Sequence, residues 1–141
     1  MAPEVLQAAD QPQQYDGYMA DLWSCGVLLY TLVVGRYPFS RPDDYRQGAN
    51  PQLVNFHTIQ RIRKGEYVIP EHVTLSAGLL DLIARLLTIN PGARATLADV
   101  KVHAWFVEGL PEGALEVNGQ CPRPSWDDAA VKRFEAIVEA I

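Results

Sequence analysis

Cysteine is scarce in this chain, with Cys25 and Cys121 the two among 141 residues. Two thiols, one of them inside an apolar run, do not make a disulfide framework, and they fit a reducing cytosolic or nuclear compartment. Basic charge is short as well. Twelve Lys and Arg stand against 17 Asp and Glu, a net charge of −5, which leaves no basic footprint for nucleic acid or anionic lipid. The longest apolar stretch, Cys25 to Val34, is about half of what a membrane span needs. No charged, then apolar, then small-residue leader opens the chain, so secretion is not indicated. His57, His72 and His103 have no metal-ligand spacing with either cysteine, so no metal site is assigned. No Ser-His-Asp or Cys-His arrangement stands out.

What remains is an ordinary globular composition, 48% hydrophobic and 21% charged, in a chain long enough to bury a core. Met1 to Tyr18, with Pro3, Pro12 and Gly17 among polar residues, reads as irregular. From about Ala20 the residues Leu22, Trp23, Cys25, Val27 to Tyr30 and Leu32 to Val34 leave a helix no polar face. Such a helix is expected to be buried on all sides, with Gly35 as its left-handed cap. Tyr37 to Pro51 is loop-like. A second helix is predicted over Gln52 to Lys64, followed by a short extended piece at Tyr67 to Ile69. Ser76 caps a third helix that stops before Asn90-Pro91-Gly92. Thr96 and Asp99 have capping-box spacing for a short helix ending near His103. After a Pro- and Gly-bearing connection over 107–124, Ser125 and Asp128 open a last helix with a Val131, Phe134, Val138 and Ile141 stripe. The expected fold is mainly α, one buried central helix surrounded by amphipathic ones.

Three strings narrow the reading: Ala2-Pro3-Glu4, then Asp21-Leu22-Trp23-Ser24-Cys25-Gly26-Val27, then Arg94 ahead of Ala104-Trp105-Phe106. In this order, and with Tyr37-Pro38-Phe39 after the central helix, residues 1–106 resemble the second half of a protein kinase domain. The likeness starts at the A-P-E that closes the activation segment. Thr58 to Ile62, Tyr67 to Pro70 and Tyr15-Asp16-Gly17 resemble the calcium/calmodulin- and AMP-kinase-like group. Within that group they are most similar to the plant osmotic-stress (sucrose-nonfermenting-related) serine/threonine kinases. The stretch Arg41 to Val54 is longer than that pattern, and Ala104 stands where proline is common. The helix expected over 125–141 is similar to the short regulatory helix those kinases carry beyond the catalytic domain, expected to dock on the lobe or to bind a regulator.

The resemblance implies roles. Glu4 and Arg94 would form the buried ion pair that anchors the end of the activation segment, a task suited to a bidentate fork; taken without it, they are surface charges. Asp21 would hold the catalytic loop through its carboxylate; its plain reading is a first-turn helix acid. Leu28 and Leu32, one turn apart, would anchor the hydrophobic spine, and Trp23 and Trp105 are core aromatics. The helix at 52–64 would face protein substrates or regulators, and its cluster Arg61, Arg63 and Lys64 would attract acidic partners or complement its own dipole.

Kinase chemistry also needs a glycine-rich loop, a strand lysine, H-R-D with its Asn, and D-F-G. The sequence contains none of them, so no catalytic, cofactor-binding or metal-binding residue is assigned. ATP and Mg²⁺ are expected for a parent kinase and not for this chain alone. An internal methionine used as a start would account for the motif order, with the chain supplying the lobe scaffold and part of a substrate platform, inactive and aggregation-prone by itself. The alternative is a noncatalytic binding module that competes for kinase substrates or regulators. Either would work in the cytoplasm or nucleus, without nucleic acid or membrane.

Overall fold

Proline opens the first helix instead of preventing it. A computed structural model describes residues 1–10 and 14–116, and in it α1 spans Pro3–Asp10. Pro3 takes the first helical position, where a fixed φ is an advantage and a missing N–H costs nothing. The Ala2 carbonyl accepts from the Val5 and Leu6 N–H groups, each at 3.1 Å. The expectation of irregular structure from Met1 to Tyr18 is corrected accordingly.

Helix α2 runs Gly17–Val34, three residues earlier than the apolar pattern implies. Asp16 caps it, accepting from the Tyr18 N–H at 2.9 Å. Gly35 ends it at φ 79, donating its N–H to the Thr31 carbonyl at 2.9 Å. Helix α3 (Pro51–Lys64) follows a 3-10 turn at Pro42–Tyr45. Asn50 caps α3 through the Gln52 N–H at 2.9 Å. Ser76 caps α4 (Ala77–Leu86) through the Leu79 N–H at 3.3 Å. Thr96 and Asp99 make the expected capping box at the head of α5 (Leu97–Val102). A short α6 (Ala104–Val107) carries Trp105. Among the described residues no strand forms. The segment expected to be extended at Tyr67–Ile69 is tied to α2 by the Tyr30 hydroxyl, which donates to the Val68 carbonyl at 2.6 Å.

Two groups of side chains make the interior. Ala2, Trp23, Tyr30, Phe39, Leu79, Ile83 and Leu87 form one, and Leu22, Leu82, Leu86, Ala95 and Val100 the other, with partly buried Trp105 against both. Both are built where α2 crosses α4. Gly26 allows the crossing: a Cβ there would stand 2.7 Å from the Leu86 Cβ and 3.0 Å from the Leu87 Cδ2.

The central helix is not buried on all sides. Leu22, Trp23, Gly26 and Tyr30 are buried, but Tyr18, Asp21, Cys25, Leu28 and Leu32 are exposed. They recur at the spacing of one helical face, and α4 covers the opposite one. By length and mean hydropathy, 1.4 over 18 residues, α2 is apolar enough to cross a membrane. Counting only Cys25 to Val34 missed this; its buried face is used for packing on α4. Residues Met1–Glu108 form one compact unit and Gly109–Ile141 another. The described part of the second holds a 3-10 turn at Ala114–Glu116. The terminal helix expected over 125–141, and the part of the connection from 117 to 124, lie outside the described residues.

Candidate functional site

Buried charge needs partners, and Arg94 is the one charged residue classed as fully buried among those described, at 3% exposure. All five of its N–H donors are used. Nη1 and Nη2 grip the two Glu4 carboxylate oxygens at 2.7 and 2.9 Å. Nη1 also donates to the Met19 carbonyl at 2.5 Å, Nη2 to the Ile89 carbonyl at 3.2 Å, and Nε to the Thr88 carbonyl at 3.0 Å. One side chain thus joins α1, the first turn of α2 and the segment following α4. Its position comes from the Asn90-Pro91-Gly92 turn, where the Asn90 side chain accepts from the Gly92 N–H at 2.9 Å. The Ala95 N–H then bonds back to the Arg85 carbonyl at 3.2 Å.

Burial of the Glu4 carboxyl opposes its charge, but the Arg94 hydrogen bonds, a backbone N–H and the Arg94 charge outweigh it. Together they hold its pKa below the ordinary 4.5. The guanidinium carbon lies 5.0 Å from the Trp23 ring centre. Trp23 in turn stacks on Phe39, centroids 5.6 Å apart and planes 6° apart.

Of the other sequence-predicted residues, Trp23 joins this centre, while Asp21, Leu28 and Leu32 do not. Asp21 is exposed and beyond the first turn of α2; among the described residues its carboxylate has no partner. The plain reading of Asp21 as a first-turn acid is corrected, since α2 begins at Gly17 and Asp16 caps it. Leu28 and Leu32 are 59% and 74% exposed. The expectation that both are buried, whatever their role, is corrected, because no described residue covers that side of α2. Trp23 is buried at 1%, whereas Trp105 is partly covered and lies against Gly78.

Sequence reasoning misjudged Arg61. It leaves the cationic cluster and pairs inward with Asp44 at 2.7 Å. The hydrogen bonds from Arg61 lower the Asp44 pKa against the opposing effect of burial. Asp44 carried no periodic signal that would have revealed it. His103 Nε2 and Asp81 meet at 3.0 Å, with Arg85 on the same carboxylate at 2.8 Å. The hydrogen bond from His103 and then that from Arg85 lower the Asp81 pKa.

Two of the cavities lined by described residues differ in character. One of about 230 Å³ is lined by Glu4, Gln7, Gln14, Tyr15, Asp16 and Pro91, two of them acidic. One of about 270 Å³ between α2 and α3 is mostly apolar, lined by Trp23, Val27, Phe39, Val54 and Ile62 among others. Among the described residues no three His, Cys, Asp or Glu gather as a metal site.

Residues 1–106 match the protein kinase domain family, and the chain belongs to that family. Its relatives are serine/threonine kinases. It is 42% identical to serine/threonine-protein kinase SRK2C of Arabidopsis thaliana over 123 residues, 84% of this chain and 33% of that protein. It is 44% identical to SAPK4 of Oryza sativa subsp. japonica over 116 residues, 82% of this chain and 29% of the relative. With SRK2I of Arabidopsis thaliana the identity is 41% over 144 aligned positions, covering 100% of this chain and 36% of the relative. The chain therefore spans about a third of the length of these relatives.

Proposed function

We propose that this chain is the helical lower portion, from A-P-E onward, of a serine/threonine protein kinase that transfers the γ-phosphate of ATP to protein Ser or Thr. It supplies scaffold and part of the substrate platform and is inactive alone. The carrying observation is the Glu4–Arg94 fork, with all five guanidinium donors engaged, inside the stretch that matches the kinase family. In that reading Glu4 and Arg94 anchor the end of the activation segment. Asp21, Leu28 and Leu32 lie along one exposed face of α2, where Asp21 would hold a catalytic loop and the two leucines would continue a hydrophobic spine. ATP and Mg²⁺ would be held by residues outside this chain. The exposed thiol of Cys25 suits a reducing cytoplasm or nucleus. A role in stress signalling, which the resemblance to plant osmotic-stress kinases implies, belongs to the same proposal.

A second reading, a noncatalytic module that binds kinase substrates or regulators, is favoured by Leu53 and Phe56 of α3, each 55% exposed. A chimera separates the two. The part of SRK2C that precedes the matched stretch, fused to this chain, is expected to phosphorylate a Ser/Thr peptide, and Asp21→Asn to abolish most of that activity. A folded but inert chimera would support the module.

A further inference from the structure

The segment between Gly35 and Gly48 is a loop with little of its own to bury. Pro38 and Phe39 enter the core, but from Arg41 to Arg46 no residue is classed as buried, and Tyr45 is 69% exposed. Segments with so few apolar contacts open at low free energy unless polar contacts tie them down. Here the polar ties to the rest of the fold converge on two arginines. Arg61 of α3 donates through Nη1 to the Phe39 carbonyl at 2.8 Å and to Asp44 Oδ2 at 2.7 Å, and through Nη2 to Asp44 Oδ1 at 3.0 Å. The two side chains are 15% and 6% exposed. Asp44 Oδ2 also accepts from the Arg41 N–H at 2.7 Å, closing the 3-10 turn. The Arg41 guanidinium reaches the Glu66 carbonyl, just past α3, at 2.9 Å.

Glycines in the left-handed region stand at both ends of the loop. Gly35 and Gly48 have φ of 79 and 85, and no atom lies within 4 Å of where a Cβ would stand at either. Such positions accommodate a large backbone change without a clash. Between them Phe39, Asp44 and Tyr45 form one wall of the apolar cavity of about 270 Å³, and Val54, Thr58 and Ile62 of α3 form the facing wall.

We infer that the Asp44–Arg61 pair is a latch. It holds the loop against α3 as a wall of the cavity, and its loss frees the loop while the α2–α4 core stays folded. A bidentate fork suits this use because it fixes direction as well as distance. The latch stands whether or not the chain works as part of a kinase.

Hydrogen exchange of the full chain, followed residue by residue, tests it with Arg61→Ala, Asp44→Asn and Arg61→Lys. In the first two, the Arg41, Asp44 and Arg46 amides are expected to exchange at least ten times faster. The Leu82 and Ile83 amides in the core should change less than twofold. Arg61→Lys should fall between, because a point charge cannot reproduce the fork. Loop exchange within twofold of the wild type would overturn the latch. So would core amides accelerating by the same factor as the loop, or failure of both Arg61→Ala and Asp44→Asn to fold, since either makes the pair part of the core.

Discussion

The Arg94 guanidinium lies 5.0 Å from the centre of the Trp23 ring, so the most deeply buried cation described in this chain rests against the aromatic that anchors α2. Trp23 passes that contact on to Phe39 by parallel stacking. The ion pair and the apolar core are therefore one structure, and damage to either is felt by both.

Removing one partner of the Glu4–Arg94 pair strands a buried charge, which costs about 3–5 kcal/mol. Glu4→Ala and Arg94→Ala should each lower stability by that order in urea unfolding. The double variant should cost less than their sum. Arg94→Lys should rescue little, because an ammonium cannot meet five acceptors in a planar fork. Strict additivity of the single variants would contradict a coupled pair.

The same pair sets a pH dependence. The folded Glu4 pKa lies below the ordinary 4.5, so the unfolded chain takes up the proton first as pH falls. The stabilisation is thus complete above pH 4.5 and is lost as pH drops through the folded value. Asp44, also lowered, adds a loss of the same sign below its ordinary 3.8. Glu4→Gln should flatten the acid limb of a stability-against-pH curve; a limb as steep as that of the wild type would rule this out.

Gly26 marks the closest approach of α2 to α4. Gly26→Ala puts a methyl group 2.7 Å from the Leu86 Cβ, an atom bonded to the backbone that cannot swing aside. Overpacking of this kind costs about 1–3 kcal/mol, although alanine is the better helix former by about 1 kcal/mol. Thermal unfolding should show a net loss. A stabilised Gly26→Ala would mean the helices are further apart than described.

Leu28 and Leu32 give the opposite outcome. Exposed as they are, Leu28→Ser and Leu32→Ser should move the stability of this chain by no more than about 0.5 kcal/mol while improving its solubility. In the chimera with the preceding part of SRK2C, the same changes should reduce activity. A loss of several kcal/mol in the chain alone would show that the α2 face is already covered.

Local signals carried most of the helix boundaries. Ser76, the Thr96–Asp99 box and Gly35 each solve a hydrogen-bonding problem within a few residues, so their roles are legible without a fold. Pro3 was misread because proline both ends and begins helices, and only the Ala2 carbonyl accepting from Val5 and Leu6 decides between them. An apolar residue such as Leu28 signals that a partner is wanted, not that one is present. Glu4 and Arg94 are 90 positions apart, and no periodicity links them. Their pairing was expected solely because the surrounding strings resemble a kinase. Asp44 and Arg61 had no such string, and their contact was invisible until the loop between α2 and α3 was seen folded.

The central claim is that the chemistry of phosphoryl transfer resides outside this chain. Calorimetric titration of the folded, full-length chain with ATP and Mg²⁺ tests it most directly. No saturable heat is expected, since the sequence holds no glycine-rich loop, strand lysine, H-R-D or D-F-G. Stoichiometric binding in the micromolar range, about 8 kcal/mol, would contradict it.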